Sequence, residues 1–110
     1  MTTEALSEAE RMRRVPGIVF ADGPTGRRAR IAGTGIEVFE VISHVHVVGD
    51  DWAASRAWHD MLSDAEFAAA RAYYEAFPDE IDARLAEAAR TEAIEVDLSR
   101  RLGPHYPAAG

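Results

Sequence analysis

The chain has no cysteine and no lysine among its 110 residues. Without cysteine there is no disulfide, no thiolate metal ligand and no thiol nucleophile. No apolar run approaches the roughly 18 residues that a membrane-spanning helix needs. Met1 to Arg14 alternates Glu and Arg with Ala where a signal peptide would carry an apolar stretch. A cytoplasmic location is therefore expected. What is present is 47% hydrophobic residues and a formal net charge of −7. The length suits one domain, with roughly two thirds of its unfolded surface buried in a core of its own. It is short for a conventional enzyme with a separate cofactor domain, and no cofactor is expected.

The charge is unevenly placed. Residues 11–36 hold Arg11, Arg13, Arg14, Arg27, Arg28 and Arg30 against Asp22 alone, whereas residues 61–110 hold five Arg against ten acids. An acidic chain is a poor non-specific partner for nucleic acid, because like charge repels phosphate. Its basic end still allows local phosphate contact or pairing with an acidic protein surface.

Along the chain, Thr3 to Arg14 reads as a helix capped by Thr3, with arginines in its last turn, and Val15-Pro16-Gly17 ends it. Ile18-Val19-Phe20 and Ala29-Arg30-Ile31 read as two short strands joined by the turn cluster Asp22-Gly23-Pro24-Thr25-Gly26. A lone hairpin is marginal in water, so its edges want a partner, for which a second copy of the chain is the expectation.

Thr34 with Glu37 fits a capping box. Beyond it Val38, Val41, Ile42 and Val45 share one helical face, with Glu37, Glu40 and His44 on the other. The β-branched content favours a strand; the period, which the polar stripe also keeps, predicts a helix. Gly49 is its stop, and Asp50 or Asp51 caps a short helix with Trp52, Arg56 and Trp58. Ser63 and Glu66 form a second capping box, opening a helix with Phe67, Ala70, Tyr74 and Phe77 on one face. Pro78 ends that helix and Asp79 can cap the next. The last helix shows Ile81, Leu85 and Ala88, then Glu92 where an apolar residue is due, and resumes out of phase at Ile94, Leu98 and Leu102. It is expected to leave the core near Ala89. The division predicted is an N-terminal helix or arm over 1–16, a domain over 17–89 and a C-terminal arm and tail over 90–110. The fold class predicted is mainly α: a short N-terminal β-hairpin, a helix-turn-helix-like trihelical core and a C-terminal helix.

Candidate chemistry is thin. His44 and His46 diverge by about 200° on a helix and have no third ligand at a useful spacing, so no metal site is expected. His59-Asp60 reads as a surface pair. Ser63 and Glu66 are both accounted for by capping. Trp52, Trp58, Tyr73, Tyr74 and Phe77 read as core at helical spacing rather than as base-stacking rings. A small hydrolase built on His44, His46 or His59 is the last of the readings, and no catalytic residue is assigned.

A helix, Gly49, a short helix, a turn over Asp60–Leu62 and a longer helix follow the order of a helix-turn-helix unit, in which the helix over 63–77 is the reader. Arg56 and Arg71 are then the candidates for base contact, and Arg27, Arg28 and Arg30 for the DNA backbone. Asp64, Glu66 and Glu75 on the same reader helix oppose this role, so a trihelical core that never touches DNA remains open.

The succession Gly17-Ile18-Val19-Phe20, Gly26, Arg30-Ile31-Ala32-Gly33-Thr34-Gly35-Ile36-Glu37-Val38, Gly49, Leu62-Ser63-Asp64-Ala65-Glu66-Phe67, Tyr73-Tyr74 and Phe77-Pro78 resembles the bacterial domain-of-unknown-function family numbered 433. The likeness covers residues 17–87, about two thirds of the chain. It implies a helix-turn-helix class fold and an antitoxin that caps a PIN-like ribonuclease toxin and represses its own operon. Gly35 stands where that family usually has Arg, Glu37 where it has Pro, and Asp60 where Pro is common. The leading expectation is a dimeric antitoxin that contacts operator DNA and binds its toxin through Ile94, Val96, Leu98, Arg100, Arg101 and Leu102. The alternative is an interaction or oligomerisation module with no DNA role.

Overall fold

The computed structural model describes residues 6–24 and 26–102. Helix α1 spans Glu8–Arg14. Ser7 is its cap: the Glu10 N–H donates to Ser7 Oγ at 3.1 Å, and the Ser7 N–H donates back to the Glu10 carboxylate at 3.2 Å. That exchange holds the Glu10 carboxyl below its ordinary pKa. The cap expected at Thr3 falls outside the described residues. No α1 residue is fully buried, so polar bonds tie the helix down. Arg11 reaches Glu80 at 2.6 Å, and Arg27 reaches Glu8 at 2.9 Å.

Strands β1 (Ile18–Ala21) and β2 (Arg28–Ile31) pair antiparallel, with Ile18 opposite Ile31 and Phe20 opposite Ala29. Ile18, Ala29 and Ile31 turn into the core, and α1 lies against β1. The T-x-x-E pattern at Thr34 is not a capping box. The Thr34 hydroxyl donates to the Ile31 carbonyl at 2.9 Å and accepts the Ile36 N–H at 3.0 Å, closing the turn out of β2. The cap of the next helix is Glu37, whose N–H donates to the Glu40 carboxylate at 2.7 Å.

Helix α2 (Val38–Val47) buries Val38, Val41, Ile42 and Val45, the four positions its period marks out. It is the central element, packed on α3 (Trp52–Trp58), α4 (Asp64–Ala76), α5 (Pro78–Leu102) and β2. Between α2 and α3, Gly49 and Asp50 both take left-handed backbone, at φ 70° and 63°. Asp51 then caps α3 through the Ala54 N–H at 3.0 Å. Ser63 caps α4 through the Glu66 N–H at 3.1 Å, and Glu66 returns the bond at 2.9 Å. Ser63→Ala is expected to cost about 1 kcal/mol, measured as a lower urea midpoint at unchanged slope.

On α4 the core residue is Tyr73, not Tyr74. Tyr73 is fully buried with Phe67 and Ala70, while Tyr74 is half-buried and donates its hydroxyl to Asp82. Pro78 is the first residue of α5, where its missing N–H costs nothing. Helix α5 docks through Ile81 and Leu85 and then runs on unbroken across residue 89. From Ala89 to Leu102 every residue is exposed. The fold is therefore mainly helical, with the hairpin before the trio α2–α3–α4 and a long last helix.

Candidate functional site

Three surfaces carry the side chains that sequence reasoning singled out, and they lie apart. Four of the five arginines assigned to DNA divide between two places. Arg56 and Arg71 share a groove of about 350 Å³ between α3 and α4 with Trp52 and Phe67. The Arg71 guanidinium lies 4.5 Å from the Trp52 ring centre and bonds Glu75 at 3.3 Å. Arg56 grips Asp64 with two nitrogens, at 2.7 and 2.9 Å. Arg27 and Arg28 line a different cleft, of about 220 Å³, where α1, the hairpin, α2 and α5 meet. Arg30 lines neither; it bonds the carbonyl of Gly35 at 3.0 Å. All five are thus engaged by a carboxylate or a carbonyl of the chain itself.

The cleft interleaves Arg11, Arg27, Arg28 and Arg84 with Glu8, Glu37 and Glu80. Its most buried pair is Arg84–Glu37, with side chains 10% and 8% exposed and two nitrogen–oxygen contacts of 3.0 and 3.3 Å. Arg84 also lies over the Phe39 ring at 4.0 Å. Glu80 receives both Arg11 at 2.6 Å and the Tyr73 hydroxyl at 2.7 Å. Burial and then this bond to Glu80 push the Tyr73 phenol well above its ordinary pKa. The cleft works as a fastening that clamps α1 and the start of α5 onto the sheet and α2.

The second surface was not legible in the sequence. His59, expected as half of a surface pair with Asp60, is buried. Its Nδ1 lies 2.8 Å from the Ser55 carbonyl, and a carbonyl only accepts, so Nδ1 carries the proton. Ser55 Oγ sits 2.8 Å from His44 Nδ1. A serine against a histidine is the beginning of a nucleophile and base. Here Ser55 is 0% exposed, so its oxygen meets no substrate in this conformation. The signal available in sequence was the i, i+4 spacing of Ser55 and His59 on a helix. His46 diverges as the helix requires and bonds Asp50 at 2.7 Å. Among the described residues no three His, Asp or Glu gather as metal ligands.

Trp58, read as core, is 61% exposed, because its ring stacks on the outer face of His44 at 4.3 Å instead of entering the interior. With Val47 and Met61 it rims an open groove of about 370 Å³ that includes Ile36, Glu40 and His44.

The third surface is the outer half of α5. At about 100° per residue, Ile94, Leu98 and Leu102 form one stripe, turned roughly 100° from the docked Ile81–Leu85–Ala88 line. All three side chains are exposed. Arg101 borders the stripe and pairs with Asp97 at 3.0 Å. Val96 and Arg100, grouped with these residues on sequence, fall on the far side of the helix, since two residues turn it by about 200°. The helix therefore brings together Ile94, Leu98, Leu102 and Arg101, and separates Val96 and Arg100 from them. No helix among the described residues is long and apolar enough to cross a membrane.

Comparison with family models, with curated proteins and with solved structures gave no match for this chain.

Proposed function

We propose that this chain is an antitoxin-like binding module that neutralises a PIN-like ribonuclease by laying the outer half of α5 in an apolar groove of that partner. One observation carries the reading. Ile94, Leu98 and Leu102 stand exposed in one row on a helix that has left its own core, and an amphipathic helix set in a groove is a recurring mode of protein recognition. Inhibition is steric. Arg101, beside the row, is placed to exchange Asp97 for a carboxylate at the ribonuclease metal site. The resemblance over residues 17–87 supports the class of partner.

The proposal predicts a PIN-like ribonuclease encoded beside this chain, and co-expression with it tests the reading. The full chain is expected to co-purify with it and restore growth. A chain ending at Ala89 is expected to do neither. Equal rescue by both would overturn the reading.

Operator binding as a dimer is the second reading, and the groove holding Arg56 and Arg71 favours it. Arg56 on α3 and Arg71 on the reader helix lie over the Phe67 and Trp52 rings at one groove, where a phosphate would displace Asp64 and Glu75 as their partners. Affinity for operator DNA is then expected to fall steeply with salt. Arg56→Ala with Arg71→Ala should flatten the log–log slope by about 1 to 2. Mobility shifts across a salt series measure it, and an unchanged slope removes these two residues from the interface.

A further inference from the structure

Apart from Val19, the large apolar side chains exposed among the described residues fall in two places. One is convex: the row of Ile94, Leu98 and Leu102, with Val96 behind it, on the last turns of α5. The other is concave: the groove rimmed by Val47 on α2, Trp58 at the end of α3 and Met61 in the turn after it. Within one chain the two do not meet. The helix runs straight on from Pro78, and both the row and the rim stay exposed.

We infer that a second copy of this chain supplies the missing contact: two copies associate reciprocally, each laying the outer half of α5 in the α2–α3 groove of the other. The inference rests on the reading of α5 as a binding element and names its occupant when no ribonuclease is present.

Charge agrees with shape. The groove is lined by Glu40, whose carboxylate takes the Glu37 N–H and has no cation partner among the described residues; no arginine lines it. One edge of the row is bordered by Arg101, paired with Asp97, and, one turn back, by Arg90, which has no ion pair among the described residues; Glu95 borders the other edge. One edge of the ridge is therefore cationic, and that edge suits the carboxylate in the groove.

Symmetry agrees as well. Each copy offers one ridge and one groove, so a two-fold pair satisfies both and leaves neither open. A contact in one direction only would propagate into a larger ring or a filament. Some 14 exposed residues from Ala89 to Leu102 give about 20 Å of helix, several turns of ridge for each contact.

Light scattering on the full chain and on two full-length variants tests this. Ile94→Gln with Leu98→Gln removes the ridge. Val47→Gln with Trp58→Ala spoils the groove. All four side chains are exposed, so helical content and melting temperature are expected to stay near the parent values, measured alongside. The full chain is expected at twice the 12.0 kDa of one chain. Each variant alone is expected as a monomer. An equimolar mixture is expected to regain dimers, because one intact ridge then meets one intact groove.

A monomeric full chain, or a ladder of higher species, would overturn the proposal. So would a ridge variant that stays dimeric, which would place the interface elsewhere, for example on the hairpin. A monomeric full chain that still needs residues beyond Ala89 to bind the ribonuclease would remove the dimer and leave the proposed function standing.

Discussion

Arg84→Ala is expected to destabilise the chain by about 3–5 kcal/mol, a large share of the 5–15 kcal/mol typical of a domain. The reason is the carboxylate left behind. Glu37 is 8% exposed, and the two contacts from Arg84 contribute to offsetting its removal from water. Arg84 also covers Phe39 and reaches Glu87 at 3.7 Å, so truncation removes packing along with charge. Replacing both partners is expected to cost much less than replacing one, because a buried ion pair exchanged for apolar groups of similar volume is often neutral. Urea unfolding of Arg84→Ala and of Glu37→Met with Arg84→Met measures the difference. Equal losses in the two would mean that the pair acts through something other than mutual neutralisation.

Tyr73 is the second position of large effect. Its ring is fully buried between Phe20, 6.3 Å away edge-on, and Phe77 at 5.0 Å. Tyr73→Ala is expected to cost about 3–5 kcal/mol through the cavity it leaves. Tyr73→Phe keeps the packing and removes one bond to Glu80, for about 1–2 kcal/mol. The pH dependence follows from the raised phenol pKa. In the unfolded chain Tyr73 ionises near the ordinary value of about 10; in the fold it ionises higher, because burial and Glu80 both oppose the charge. Between the two values the folded state holds the extra proton. The contribution is therefore complete below about pH 10 and declines as pH rises above it. Tyr73→Phe is expected to flatten that alkaline decline, and thermal melts at a series of pH values report it.

What the sequence disclosed depended on whether the cause was local. The period of Val38, Val41, Ile42 and Val45 outweighed their β-branching, since a helix face that fits the core matters more than propensity. Ser63 and Glu66 marked the start of α4 because both halves of a capping box lie within one turn. The same pattern at Thr34 misled: a hydroxyl three residues before a glutamate also serves a turn, and here the carbonyl of Ile31 claims it.

Long-range pairings left no trace in the sequence. Glu37 and Arg84 are 47 positions apart, and nothing in either neighbourhood announces the other. The pair anchors α5 to the start of α2. Gly35 sits at φ 74°, backbone that glycine adopts without strain. The exit of α5 from the core near Ala89 was visible because Glu92 breaks the stripe. The grouping of Val96 and Arg100 with Ile94 failed because apolar and basic content was read without its angular position. Of the candidate surfaces, the ridge on α5 was thus legible. The groove under Trp58 was not, because His44 and His59, which line it, read as exposed side chains until α3 is folded against α2.

Inhibition of the PIN-like ribonuclease that the proposed function predicts beside this chain, by the full-length Ile94→Gln with Leu98→Gln variant, tests the central claim most directly, since the variant alters the ridge and nothing in the core. The account predicts that the parent chain suppresses RNA cleavage at equimolar ratio while the variant, equally helical and equally stable, leaves cleavage at the uninhibited rate. Full suppression by the variant would contradict it.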